Sequence, residues 1–261
     1  MRLAARLAAG ETVFTAWSSL PDALTVEALA ETVMDAITLD MQHGGHHEDS
    51  VLRGLGPIIA AGKPGLVRVP VGRFDMASRA LDFGAEAVVA PMVNTLDDAR
   101  AFATAMKYPP VGQRSWGPSF AMPRFQAHEA HAWMNGENGR TLAFAMIETR
   151  EALAIVDDIL AVPGVDGVFV GPADFSIAWS GGATVDPSLP EMMDAIAHIA
   201  ARAAAAGKHA AIYVVDPALV GRYAAMGFRL IALGGESRYM ALGAAALLEA
   251  ARATVNRATM K

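Results

Sequence analysis

Two carboxylates stand where apolar runs stop. Phe144-Ala145-Met146-Ile147 ends on Glu148, and Gly167-Val168-Phe169-Val170 runs through Gly171, Pro172 and Ala173 to Asp174. In a parallel barrel the carboxyl ends of adjacent strands open into one mouth, so the two acids would share it. Two carboxylates so placed suit a hard divalent cation with coordination positions left open for substrate. The alternative is that each acid merely caps the helix after it. Backbone N–H groups at the start of the helix after Gly171 would also be free to bind an anion such as a substrate carboxylate.

Four more groups reach the same face. Asp40 ends a second apolar run, with Gln42 and His43 in the loop that follows, and Arg68 sits inside Val67-Arg68-Val69-Pro70. A guanidinium within an apolar strand must find a partner or a ligand. An imidazole that titrates near neutrality is a candidate general base, although a histidine in a glycine-rich loop can equally be polar surface. His43-Gly44-Gly45-His46-His47 raises the thought of zinc, but no second histidine cluster and no His-Glu helix motif accompanies it. Trp17, ending the first apolar run, would floor the mouth unless it is simply core.

Positioning these side chains requires eight strand-and-helix units. Strands are expected over 13–17, 36–39, 65–69, 87–91, 144–147, 167–170, 209–214 and 229–233, with helices over 25–34, 48–61, 74–83, 96–107, 190–206, 217–226 and 239–253. Alternation of this kind with no break in composition predicts one domain spanning residues 1–261, a (β/α)8 barrel. Glycines at 84, 164, 207 and 227 mark helix-to-strand turns, which belong to the stability face of such a barrel. The chemistry is then expected at the opposite face.

Composition narrows the class. With 53% hydrophobic residues in 261, the chain can fill a large core and is not disordered. Its apolar runs are interrupted too early for a membrane span. Residues 1–10 resemble a signal-peptide start, but Glu11 truncates the apolar stretch, so a short leading helix is expected instead. The absence of cysteine removes disulfides, thiolate zinc and a cysteine nucleophile, and makes a reducing cytoplasm the default. A net charge of −6 with scattered arginines argues against nucleic acid or an anionic membrane as partner.

Several stretches together resemble the HpcH/HpaI family of class II pyruvate aldolases: Leu39-Asp40-Met41-Gln42-His43, Val67-Arg68-Val69-Pro70, Leu81-Asp82-Phe83-Gly84-Ala85, Ala90-Pro91-Met92-Val93, Tyr108-Pro109-Pro110-Val111-Gly112-Gln113-Arg114, Ile147-Glu148-Thr149 and Gly167-Val168-Phe169-Val170-Gly171-Pro172-Ala173-Asp174. The resemblance implies that Glu148 and Asp174 bind Mg²⁺, Mn²⁺ or Co²⁺ and that a 2-oxoacid chelates the ion. It implies that Arg68 stabilises the enolate oxygen, that His43 is the base paired with Asp82, and that main-chain N–H groups near Ala173 hold the carboxylate. It further implies a hexamer, a trimer of dimers with the last helix exchanged, acting on a 2-oxoacid such as pyruvate or hydroxypyruvate and an aldehyde in aromatic or sugar acid catabolism. Acyl-CoA lyases resembling citrate lyase β-type proteins, or a non-catalytic metabolite-binding barrel, are the alternatives.

The lysines test the competing Schiff-base chemistry. Lys63, Lys107, Lys208 and Lys261 all fall outside the carboxyl ends of the expected strands, so an amine nucleophile is not expected. The sequence departs from the family pattern at Met41-Gln42, where Gly-Glu is common, and at Met146, where a glutamine is common. After Arg114 it continues with Ser115-Trp116 where glycine is common. The long excursion 108–139, with Arg114, Ser115 and Trp116, is expected to form a lid on the aldehyde side of the mouth.

Overall fold

The computed structural model describes residues 2–259. Eight parallel strands close into a barrel in sequence order. They are β1 (Val13–Ser18), β2 (Ala36–Asp40), β3 (Gly65–Arg68), β4 (Ala87–Ala90), β5 (Leu142–Ile147), β6 (Gly167–Val170), β7 (His209–Val214) and β8 (Leu230–Gly235). β8 pairs back onto β1, which removes both sheet edges. The expected fold class is therefore the observed one, a (β/α)8 barrel.

Strand alternation builds two cores from one ring. Val67, Val88, Ala143, Val168 and Ile231 pack outward beneath the helices. Their neighbours Leu66, Val89, Phe144, Phe169 and Ala232 fill the barrel interior. A period of two residues sends successive side chains to opposite faces, so each strand serves both layers. The leading helix, Leu3–Ala8, adds Leu3 and Leu7 to the interior cluster. Its Leu3 N–H donates to buried Glu86 Oε2 at 2.7 Å, pinning this helix beneath the start of β4. The N-terminal end of the barrel is thereby plugged, and the cavity lies at the other end.

Helix starts and stops follow local chemistry. Thr95 caps the helix Leu96–Met106 through a reciprocal pair with Asp98. Gly84 ends the helix Phe74–Phe83 at φ 109°, a conformation a side chain would resist. The cap of the helix after β5 is Thr149, whose side chain accepts from Ala152 N–H, so Glu148 is released from that structural duty.

The excursion departs from expectation. Helix Leu96–Met106 follows β4 and carries the chain back to the N-terminal face, where residues 107–141 remain until β5 begins. Two helices, Ala121–Arg124 and Ala130–Arg140, organise it. Lys107, fully buried, donates Nζ to the carbonyls of Asn138 and Thr141 and pairs with Asp166 at 2.7 Å. Within one chain it is a helix-to-strand connection at the stability face and no lid over the mouth. The last helix, Glu236–Thr259, begins at once after β8 and is longer than the 239–253 span expected. Met240, Leu242, Leu247 and Leu248 on it are exposed. Among the described residues, no helix is long and apolar enough to cross a membrane.

Candidate active site

The mouth holds a cavity of about 240 Å³ bordered by Trp17, His43, Arg68, Gly171, Pro172, Ala173 and Asp174. These come from the ends of β1, β2, β3 and β6, so residues far apart in sequence converge as expected. Phe169, Met146, Tyr213, Val215 and Pro187 complete the wall. Trp17 stands edge-on to Tyr213 with centroids 5.4 Å apart and tilts against Phe169 at 5.8 Å, forming an aromatic floor.

Glu148 lies just beyond β5 and is 1% exposed. Its Oε1 accepts the Met92 N–H at 2.7 Å, while Oε2 is buried without a partner. Met92 is held at φ 52°, a costly conformation for a side-chain-bearing residue, and in it the N–H faces the carboxylate. Oε2 faces Gly171 across the β5–β6 pair: a Cβ added there would lie 2.5 Å from it. Burial pushes the Glu148 carboxyl up to about 7; the Met92 hydrogen bond opposes this, the charge of Asp174 adds to it and Arg68 lowers it.

Asp174 is half-buried in the first turn of the helix Pro172–Ser180, whose N-cap is Gly171. Neither acid is therefore a helix cap. The N–H groups of Ala173 and Asp174 lie in that first turn, where no intrahelical acceptor exists, and they border the cavity.

These groups fit a divalent cation. A buried carboxylate oxygen with no partner, next to a second carboxylate whose charge it feels, is compensated by a positive ion. Among the described residues no cluster of three or more His, Asp or Glu side chains could hold a metal. The two carboxylates would thus leave the remaining positions to water and substrate, as hard cations tolerate.

Arg68 finds its partner in Asp40. Nε donates to Oδ1 at 2.8 Å and Nη2 to Oδ2 at 2.6 Å, a two-pronged buried pair. Burial opposes ionisation of Asp40, but the Arg68 hydrogen bonds and charge outweigh it and hold the carboxyl below its usual range. The guanidinium lies 5.0 Å over the Trp17 ring, and its third nitrogen, Nη1, is not used by Asp40. Asp40 thus orients Arg68 and, through Oδ1, accepts the Gln42 N–H at 3.0 Å. The Gln42 side chain does not border the cavity; its Oε1 is buried without a partner, so substrate binding by this residue is not seen here. His43 is exposed at the rim, and its ring makes no hydrogen bond among the described residues.

Four expected site residues lie elsewhere. Asp82 closes the helix Phe74–Phe83, which runs from the mouth to the stability face, so within one chain it is not the partner of His43. It accepts instead from Arg114 Nη2 at 2.8 Å. Arg114 is buried against Tyr108, and Trp116 is half-exposed beside the same ring. Ser115 is exposed between them. All three belong to the excursion and therefore sit at the opposite end from the cavity. Met92, Phe169, Pro187, Tyr213 and Val215 join the site without a sequence motif that assigns them to it. Strand alternation marks Phe169 and Tyr213 as inward, but no local signal picks out Met92 or Pro187.

Fold and site together define a (β/α)8 barrel with two carboxylates and one guanidinium gathered at its C-terminal mouth. The chain belongs to the HpcH/HpaI aldolase/citrate lyase family, whose model matches residues 14–241. It is 35% identical over 244 residues to a hydroxypyruvate/pyruvate aldolase of Rhizorhabdus wittichii, covering 94% of this chain and 96% of that protein. It is 32% identical over 241 residues to a 4-hydroxy-2-oxo-heptane-1,7-dioate aldolase of Salmonella dublin, covering 92% and 90%. Among solved structures, an HpcH/HpaI aldolase from Desulfitobacterium hafniense matches with a TM-score of 0.87 at 26% identity over 97% of both chains.

Proposed function

We propose that the chain, acting as one domain, is a divalent-metal-dependent class II aldolase, a carbon–carbon lyase that forms an enolate from pyruvate or hydroxypyruvate and adds it reversibly to an aldehyde. The observation that carries this is the buried, partnerless Oε2 of Glu148 facing Gly171 beside Asp174. A cation held by Glu148 and Asp174, with Mg²⁺, Mn²⁺ and Co²⁺ the candidates, would polarise the keto group as a Lewis acid, worth several kcal/mol.

The protein's own groups do the rest. The Ala173 and Asp174 N–H groups bind the substrate carboxylate and orient the 2-oxoacid in the first turn of their helix. Arg68, fixed by Asp40, keeps Nη1 for the oxygen on which charge develops; one such preorganised donor is typically worth about 10²–10³ in rate. With that oxygen stabilised, the His43 imidazole removes a methyl proton, and the aromatic floor of Trp17, Phe169 and Tyr213 keeps water from the carbanion face. In the addition the enolate carbon bonds the aldehyde carbon and the alkoxide so formed takes back the proton held by His43; cleavage of a 4-hydroxy-2-oxoacid runs backward, the hydroxyl proton passing to His43 as the carbon–carbon bond breaks and then to the methyl carbon.

The role of Asp82 beside His43 is retained only as one supplied by a second copy, because its helix ends at the far face of its own barrel. Arg114, Ser115 and Trp116 would act on the aldehyde side by the same route. A hexamer, a trimer of dimers with the last helix exchanged, fits the exposed Met240, Leu242, Leu247 and Leu248. A reducing cytoplasm fits a chain without cysteine. The test is exchange of pyruvate methyl protons with D₂O. It is expected to require Mn²⁺ or Mg²⁺ and to vanish in His43→Ala; metal-independent exchange, or exchange that survives that substitution, refutes the reading.

A further inference from the structure

The loop 41–47, between β2 and the helix Glu48–Ala60, carries three histidines, two of which, His43 and His46, lie in opposite surroundings. His43 borders the cavity, exposed, with nothing on its own ring to hold it. His46, three residues on, is 5% exposed and fully engaged. Its Nε2 lies 3.0 Å from Ser18 Oγ at the end of β1, and its Nδ1 lies 3.1 Å from Ser50 Oγ in the first turn of the helix.

Counting protons assigns the donors. The Ser50 hydroxyl gives its single proton to the His47 carbonyl at 2.9 Å and accepts the His47 N–H at 2.8 Å. What remains toward His46 is a lone pair, so Nδ1 carries the ring proton and donates it. Nε2 is then bare and accepts from the Ser18 hydroxyl. The neutral ring so protonated satisfies both hydrogen bonds, and burial favours it over the charged form.

The rest of the loop is seated by backbone. Gly45 N–H donates to Ser19 carbonyl at 2.8 Å, and a Cβ on Gly44 would lie 2.5 Å from the Asp40 carbonyl oxygen and 3.0 Å from Ser19 Cα. The loop lies flat on the ends of β1 and β2, and Ser18 is the neighbour of Trp17 in the cavity floor. We propose that His46 is a positioning residue: clamped between Ser18 and Ser50, it fixes the loop that presents His43 to the substrate. This rests on the reading of His43 as the base.

Without the clamp, metal and carboxylate binding are untouched, because Glu148 is held by Met92 and Arg68 by Asp40. Only the proton transfer suffers, and misplacing a reacting group by about 1 Å costs on the order of 10²-fold. Two reactions separate these effects. Methyl exchange of pyruvate breaks a C–H bond and sends its proton to His43. Decarboxylation of oxaloacetate breaks a C–C bond, leaves its electron pair as the same enolate and releases CO₂, with no proton taken from carbon.

In His46→Ala, exchange is expected to fall about 30- to 100-fold while oxaloacetate decarboxylation and Mn²⁺ affinity stay within about threefold. Ser18→Ala, which removes one half of the clamp and keeps the imidazole, is expected to show the same split at about 3- to 10-fold, and it decides the matter alone if His46→Ala does not fold. Unchanged exchange in the folded variants overturns the inference, as does a parallel fall of both reactions. Wild-type protein and His43→Ala are run first. A wild type without Mn²⁺-dependent exchange sinks the aldolase reading together with this inference, whereas normal wild-type exchange that persists in both clamp variants sinks the inference alone.

Discussion

Replacing Gly171 with alanine tests the candidate metal site with one methyl group. Gly171 has φ −99° and ψ 88°, which alanine can adopt, so backbone strain does not confuse the result. The added Cβ would lie 2.5 Å from Glu148 Oε2 and 2.8 Å from Met146 Cε, well inside ordinary contact distance. Relief has two routes. The Glu148 carboxylate can swing away, which breaks its 2.7 Å bond from Met92 N–H; a hydrogen bond to a charged group is worth about 1.5–3 kcal/mol. Otherwise Gly171 retreats and carries the Ala173 and Asp174 N–H groups with it, at an overpacking cost of about 1–3 kcal/mol. Either route separates the two carboxylates from their shared focus, and a loss of about 1.5–3 kcal/mol corresponds to roughly 10- to 150-fold in Mn²⁺ affinity. Titration of free Mn²⁺ by electron paramagnetic resonance reads the affinity directly, and urea unfolding of the apoprotein checks that the barrel is intact. A folded Gly171→Ala protein that binds Mn²⁺ within twofold of wild type would refute the placement of the ion between Glu148 and Asp174.

Other expectations follow from the same geometry. Arg68→Lys leaves one ammonium where two parallel donors held Asp40, so turnover in pyruvate exchange should fall about 100-fold with Mn²⁺ affinity within a few-fold; unchanged turnover would reduce Arg68 to a structural partner. Glu148→Gln with Asp174→Asn should abolish Mn²⁺ binding and exchange together, and saturating Mn²⁺ should restore neither. Burial lowers the His46 imidazole to about 4, below its unfolded value near 6.5, so the native state resists its protonation. Its contribution is complete above pH 6.5 and is lost as pH falls toward 4, by at most about 3 kcal/mol. Urea midpoints of wild type and His46→Gln should therefore diverge near neutrality and converge near pH 4, and parallel curves would contradict this. Deleting residues 240–261 should reduce the assembly to smaller species by light scattering, and an unchanged mass would remove the last helix from the interface.

Much of this barrel is legible in the chain because its signals are local. Strand and helix periods and the glycine at Gly84 each depend on residues a few positions apart, and they yield eight units and the face on which each strand ends. Glu148, Asp174 and Arg68 could be singled out because a charge at the end of an apolar run is costly wherever the run folds. What local pattern cannot express is direction across the barrel. Asp82 and Arg114 stand in motifs that resemble functional ones, yet the helix that carries Asp82 runs away from the mouth, and Arg114 lies in the excursion, expected as a lid, that leaves and returns at the plugged end. Nor could sequence spacing anticipate that Met92 would turn its N–H on Glu148, or that His46 would lie between Ser18 and Ser50, since those contacts exist only after β1, β2, β4 and β5 are laid side by side. Side-chain chemistry and periodicity are properties of neighbours along the chain; which groups meet, and which carboxylate oxygen is left without a partner, is decided by closure of the ring.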